Sequence, residues 1–266
     1  MADPLGVLLD IDGVLYVGDE PIAGAQGALA ELRSMSAGVR LLTNTTSRSR
    51  RSVHEHLREF GFQAAYEEVL TPAAMAVGHC RERGYEFVAL MVGEALREDL
   101  DSLREPPAGQ APQAVLLGDL GDGFTAETLN RIFRMLMDGA ELISLQHNRY
   151  WRRHDGLALD VGAYAAALEY ATAREGVTVG KPARAFFQAA LNDIPASRAM
   201  MVGDDVEADV GGAMAAGMLG VLVRTGKYRD DALAASRLAP TAIVDSIADV
   251  PECFGALQSA RPAGAP

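Results

Sequence analysis

Short apolar runs recur along the chain, each followed by a glycine-bearing or polar turn and then by a stretch with helical spacing. This alternation predicts an α/β fold on a mainly parallel sheet. Residues 7–10 form the first predicted strand. A helix over 25–37 follows, stopped at Gly38, and then a second strand over 39–43. Ser47 is placed to cap a helix running to Phe60 and closed by Gly61, and residues 73–83 give another, ended by Gly84. Near the far end, residues 177–179 lead into Gly180-Lys181-Pro182 and a helix over 183–192. Residues 200–202 lead into Gly203-Asp204-Asp205 and a helix through Ala216, and residues 220–223 follow a break at Gly217.

The middle third carries its own elements: strands over 87–92, 114–117 and 142–145, and helices near 125–138 and 163–173. A Pro/Gly-rich surface loop, 106–112, interrupts it. This pattern predicts a second domain inserted into the first. The division is 1–83 and 177–260 for the core, 84–176 for the insertion and 261–266 for a disordered tail. No repeat of fixed period is visible.

At 266 residues, 49% of them apolar, the chain can bury a substantial core, yet no segment approaches the length of a membrane span. The N-terminus lacks the basic start and long apolar stretch of a signal peptide, so a soluble cytoplasmic protein is expected. Cys80 and Cys253 are isolated, with no metal-binding spacing, and read as reduced thiols. The formal charge of −12 disfavours nucleic acid and anionic membranes as partners. An enzyme of this charge that handles phosphate must gather positive charge locally.

That demand directs attention to the strand ends, where ligands sit in an open parallel sheet. The first strand ends in Asp10-Ile11-Asp12-Gly13. Residues two apart on a strand share a side, so both carboxylates can face one ligand, and their repulsion calls for a cation or a shared proton. Thr43-Asn44-Thr45, Lys181 and Asp204/Asp205 stand at three further strand ends, with Asp209 a helical turn beyond. Singly, each has a plain structural reading: turn-forming aspartates, a helix cap, a surface lysine. Together they agree in chain order and in placement.

This ordered set, with Val202 to Ala213, Ala216-Gly217-Met218 and Thr225-Gly226-Lys227-Tyr228, resembles the haloacid dehalogenase superfamily of aspartyl-phosphate phosphohydrolases. The insertion resembles the α/β cap of its p-nitrophenylphosphatase-like subclass. The resemblance implies a Rossmann-like parallel-sheet core with an inserted α/β cap domain. It implies Asp10 as nucleophile and Asp12 as acid and base. Mg²⁺ would be held by Asp10, the main-chain carbonyl of Asp12 and Asp204, with Asp205 and Asp209 orienting these ligands. Thr43 and the N–H of Asn44 would bind phosphoryl oxygens, and Lys181 would neutralise them. Without such cations, a carboxylate about 4 Å from a phosphate meets roughly 4 kcal/mol of repulsion per charge pair at an effective dielectric of 20.

In the cap, the basic segment 146–156 resembles the subclass's substrate-specificity loop, with Asn148 matching its Asn and Arg152, Arg153 or His154 placed to touch the leaving group. The implied reaction is Mg²⁺-dependent hydrolysis of a small phosphate monoester or phosphoanhydride. A small phosphorylated metabolite is the expected partner, and a homodimer through the cap fits the family. Two rivals share the residues: a phosphotransferase or phosphomutase, and a phospho-accepting receiver-like module. Receivers, however, are about half this length and carry no cap.

Overall fold

The computed structural model describes residues 6–36, 38–153 and 156–259, the side chains of 151–153 excepted. Ala37, His154, Asp155 and the expected tail 261–266 lie outside the described residues.

The chain divides into two compact units, the first made of residues 1–43, 51–70 and 182–266 and the second of 44–50 and 71–181. In the first, six parallel strands run in the order Ala242–Val244, Leu219–Val223, Ala199–Gly203, Gly6–Asp10, Gly38–Leu42, Val69–Leu70. Gly6–Asp10 and Ala199–Gly203 lie side by side near the middle, and every residue in both is buried. Strands covered on both faces need continuous apolar runs rather than alternation, which is the pattern Val7-Leu8-Leu9 and Met200-Met201-Val202 present.

The second unit is built on four parallel strands in the order Val177–Thr178, Glu141–Ser144, Ala114–Leu117, Val88–Met91. Successive strand residues divide between two apolar clusters, as the two-residue period requires. Val88, Leu90, Leu116 and Ile143 join Ala73, Ala76 and Cys80 of the helix Pro72–Glu82. Ala89, Met91, Val115, Leu117 and Leu142 join Ile132 and Leu136 of Ala126–Met137 and Val161, Ala165 and Leu168 of Val161–Thr172. The hairpin Tyr150–Arg153/Gly156–Leu159 forms a separate two-stranded antiparallel sheet, where the sequence suggests only a loop.

Several expectations shift. Gly38 opens a strand rather than closing a helix, because the helix Ala25–Met35 already ends at Ser36, whose N–H donates to Leu32 O. The helix expected from Ser47 begins at Arg50. The strand at 177 pairs with Glu141–Ser144 and so belongs to the second unit, not to the core sheet, since Val177 and Val179 pack against that unit's apolar cluster. The helix Pro72–Glu82 belongs there for the same reason, and Thr71 Oγ1 caps it by accepting from Ala74 N–H. The contact division at 71 and 181 is therefore wider than the 84–176 read from sequence.

A polar clasp adds to this packing. The Glu141 carboxylate lies 2.9 Å from His79 Nε2 and accepts from Tyr85 Oη at 3.1 Å and Arg83 Nη2 at 3.2 Å. Cys80 is fully buried, and that burial, with Glu141's charge second, pushes its thiol pKa up to about 11. At pH 8 its thiolate fraction is then two orders of magnitude below that of an ordinary cysteine. Iodoacetamide labelling followed by mass spectrometry is expected to modify Cys80 at least about a hundredfold more slowly in the native protein than in urea. Equal rates would show that the helix Pro72–Glu82 does not hold Cys80 buried against the strands.

Candidate active site

Three buried carboxylates converge in the first unit. Asp10 ends the strand Gly6–Asp10, and Asp204 directly follows its neighbour Ala199–Gly203. Parallel pairing, with Leu9 opposite Val202, brings these two strand ends to the same level. Asp209 arrives by another route. The segment Val206–Gly211 is wound as a π-helix, in which Asp205 O accepts from both Asp209 N–H at 3.0 Å and Val210 N–H at 3.3 Å. Such widened turns recur at functional sites because they re-aim one side chain. Here the result is an Asp209 carboxylate that accepts from Asp205 N–H at 3.1 Å.

One oxygen from each of Asp10, Asp204 and Asp209 lies within 4.8 Å of the others, and the three residues are 6%, 2% and 1% exposed. At that distance a pair of charges repels by about 3 kcal/mol or more at an effective dielectric of 20. Burial first, then the charges of Asp10 and Asp209, hold the Asp204 carboxyl well above the usual carboxylate range. The Lys227 N–H, donating to Asp204 Oδ2 at 2.6 Å, and the Lys227 ammonium oppose that shift without overcoming it. The lysine responds in turn. Desolvation works against its ammonium, but Asp204, Asp10, Asp205 and Asp209 outweigh it and raise its pKa.

The donor set tests whether a metal fits. Three carboxylates with no nitrogen or sulfur ligand suit a hard, oxygen-seeking cation such as Mg²⁺. Asp204 Oδ1 is buried with no hydrogen-bond partner among the described residues, as an oxygen reserved for a ligand would be. The residues present therefore fit the ion.

The backbone closes tightly over Asp204. Gly13 has φ +89°, and a Cβ there would lie 1.9 Å from Asp204 Oδ2. A Cβ at Gly226 would lie 2.0 Å from the same oxygen. Thr225 Oγ1 donates to Gly13 O, tying the two loops together.

The other sequence-predicted residues divide between the units. Asp12 is exposed, beyond the carboxylate trio, and accepts from Thr43 Oγ1 at 3.4 Å. Asp205 caps the π-helical segment, its Oδ1 accepting from Glu207 and Ala208 N–H groups, so Asp209 rather than Asp205 joins the trio. Asn44 and Lys181 belong to the second unit and clasp each other across 137 residues of chain. Asn44 Nδ2 donates to Lys181 O at 2.9 Å, and Lys181 N–H donates to Asn44 Oδ1 at 2.8 Å. The Asn44 side chain thus fixes the backbone that carries Lys181, a role the sequence does not announce. Asn148 is half-buried in the turn before the hairpin; Arg152 lies in the strand Tyr150–Arg153, and its side chain is outside the described residues.

Lys227 and Thr225 are the residues that sequence reasoning leaves without a role. The signal was present: both follow Leu219–Val223, the strand next to the one that carries Asp204, so the strand-end rule reaches them too.

Known proteins resemble the chain over most of its length. The haloacid dehalogenase-like hydrolase family matches residues 7–104, and a HAD-hydrolase-like family matches 178–250. Haloacid dehalogenase-like hydrolase domain-containing protein 2 of Rattus norvegicus is 42% identical over 225 residues, covering 84% of this chain and 85% of the relative. Phospholysine phosphohistidine inorganic pyrophosphate phosphatase of the same organism is 41% identical over 232 residues, with 84% of each chain covered. The solved p-nitrophenyl phosphatase from Archaeoglobus fulgidus superposes with a TM-score of 0.87 at 27% identity, covering 94% of this chain and 99% of that one. With relatives matched over most of its length, and buried aspartates at the ends of adjacent parallel strands, the chain belongs to the haloacid dehalogenase-like hydrolase family.

Proposed function

We propose that this haloacid dehalogenase-like phosphatase hydrolyses a small phosphate monoester or phosphoanhydride with Mg²⁺, through a phosphoryl group carried on Asp10. The observation that carries the reading is the buried trio Asp10, Asp204 and Asp209, with the exposed Asp12 two residues from the first of them. One carboxylate is sheltered among acceptors for a cation; the other is in contact with solvent, where protons are exchanged.

In this reading an Asp10 oxygen attacks phosphorus, and the bond from phosphorus to the leaving oxygen breaks as Asp12 delivers a proton to that oxygen. Water then attacks the phosphoryl group, Asp12 takes its proton, and inorganic phosphate departs as the Asp10 carboxylate is restored. Asp10, the Asp12 carbonyl and Asp204 would hold Mg²⁺, whose positive charge would let the carboxylate approach the phosphate. Asp209 would orient the other two aspartates of the trio, and Asp205 holds the turn that carries Asp209. Thr43 and the Asn44 N–H would take phosphoryl oxygens and Lys181 would add the second positive charge, a placement supported by their family motif positions. Asn148 and Arg152 are assigned to the leaving group. The printed name of the second relative, which includes inorganic pyrophosphate, favours keeping phosphoanhydrides within the substrate class.

Two variants test this. Asp10→Asn keeps the shape of the side chain but removes its nucleophilic charge. Turnover of p-nitrophenyl phosphate is expected to fall at least about 10⁴-fold with the thermal midpoint preserved. Activity within tenfold of wild type would overturn the assignment of Asp10. Gly13→Ala places a methyl group where Asp204 now stands, in a backbone conformation that alanine disfavours. A shift of about 1 Å in Asp204 predicts a loss of about a hundredfold in kcat. Gly84→Ala is the control: it also has positive φ, at +68°, but opens onto free space, so it should retain activity. Equal activity in both alanine variants would mean that the close packing over Asp204 has no part in turnover.

A further inference from the structure

The turn that precedes the hairpin is held by one buried amide. Gln146 is 2% exposed and follows the strand Glu141–Ser144 by two residues. Its Nε2 donates to Asp160 Oδ1, and its Oε1 accepts from Asn148 N–H. Its own carbonyl accepts from Ser144 Oγ at 2.6 Å. The same Asp160 oxygen caps the helix Val161–Thr172 through Val161 N–H at 2.8 Å. Two backbone bonds complete the join: Asp160 N–H donates to Arg149 O at 3.2 Å, and Gly162 N–H donates to Asn148 O at 3.1 Å. A Cβ at Gly162 would lie 2.4 Å from His147 C, so the helix and the turn meet backbone to backbone.

The chemistry here is specific to glutamine. The position needs one donor for a carboxylate and one acceptor for an amide N–H on a single planar group. Glutamate has no donor, lysine no acceptor and leucine neither. Asp160 makes the need sharper. Burial raises its pKa, the Asp119 charge adds to the rise, and the hydrogen bonds from Val161, Gln146 and Asn148 hold it back. Among the described residues the hairpin shares no hydrogen-bonded pairing with the four-stranded sheet, and backbone bonds tie its roots, Asn148–Arg149 at one end and Asp160 at the other, to the start of the helix Val161–Thr172.

We propose that Gln146 is a positioning residue for substrate selection: by clamping Asn148 to Asp160, it fixes the turn that carries the residue assigned to the leaving group of the phosphate ester. This rests on the phosphatase reading and on the assignment of Asn148 and Arg152 to the leaving group. Gln146 itself touches no substrate. Its effect is on which leaving groups are accepted, and it leaves the reacting centre in the other unit alone.

The test reverses the pair. Gln146→Glu keeps shape and size but sets two carboxylates against each other; adding Asp160→Asn removes that repulsion and returns a donor, the new amide turning its nitrogen toward position 146 and its oxygen toward Val161 N–H. With Mg²⁺ present, Gln146→Glu is expected to raise KM for p-nitrophenyl phosphate about tenfold with kcat within twofold. KM for acetyl phosphate, whose leaving group is small, should stay within twofold. The double variant should recover the aryl ester. In the same proteins, exchange of the Asn148 amide proton should speed up in the single variant and slow again in the double. An unchanged aryl KM, an equal loss on both substrates, or no recovery in the double variant would overturn the proposal. Wild-type protein that turned over neither ester would count against the phosphatase reading instead, and the amide exchange would then decide for or against the clamp by itself.

Discussion

Mutual repulsion among Asp10, Asp204 and Asp209 is the constraint on which the first unit is organised. Three carboxylates, each no more than 6% exposed and mutually within 4.8 Å, cannot all be charged in an apolar setting without a cation. A protein that buries them accepts a local cost in order to hold a site ready, which is the common pattern where strain and function coincide. The surrounding features follow from that choice. Adjacent parallel strands level two of the aspartates, and a π-helical turn delivers the third. Glycine at 13 leaves room for the Asp204 oxygen, and Lys227 provides a N–H and a nearby ammonium.

The second unit solves a different problem. Its sheet is apolar on both faces, and its polar chemistry is gathered where strands end: Lys181 after Val177–Thr178, and Gln146 after Glu141–Ser144. At each place an amide side chain bonds to backbone. Asn44 makes two hydrogen bonds to the main chain of Lys181, and Gln146 takes the N–H of Asn148. Primary amides suit this work because they donate and accept together and carry no charge to repel a phosphate.

Much of this was legible in the sequence, for identifiable reasons. Strands buried on both faces leave unbroken apolar runs, so Gly6–Asp10, Ala199–Gly203 and Ala114–Leu117 stand out. Asp-x-Asp-Gly and Gly-Asp-Asp, each readable alone as turn-forming aspartates, stand out because they recur with Thr43 and Lys181 at successive strand ends. What stayed hidden depends on distant partners. Val69–Leu70 and Ala242–Val244 are too short to carry a period and become strands only by pairing with longer neighbours. Val177–Thr178 has the look of a core strand, and only its pairing with Glu141–Ser144 assigns it to the second unit. Asp209 reads as one helical turn past Asp205, but nothing local says that the turn is widened. Gln146 lies inside a conspicuously basic segment, and its value comes from Asp160, beyond the hairpin.

The central claim is that the buried trio exists to hold a divalent cation, and thermal melting with and without magnesium tests it directly. A ligand that binds only the folded protein raises the melting midpoint by mass action. Saturating Mg²⁺ is expected to raise the wild-type midpoint by about 5 °C or more, and Asp204→Asn to abolish this shift. Metal-free Asp204→Asn should melt no lower than metal-free wild type, since one of three repelling charges is gone. A wild-type midpoint indifferent to Mg²⁺, or an equal rise in the variant, would contradict it.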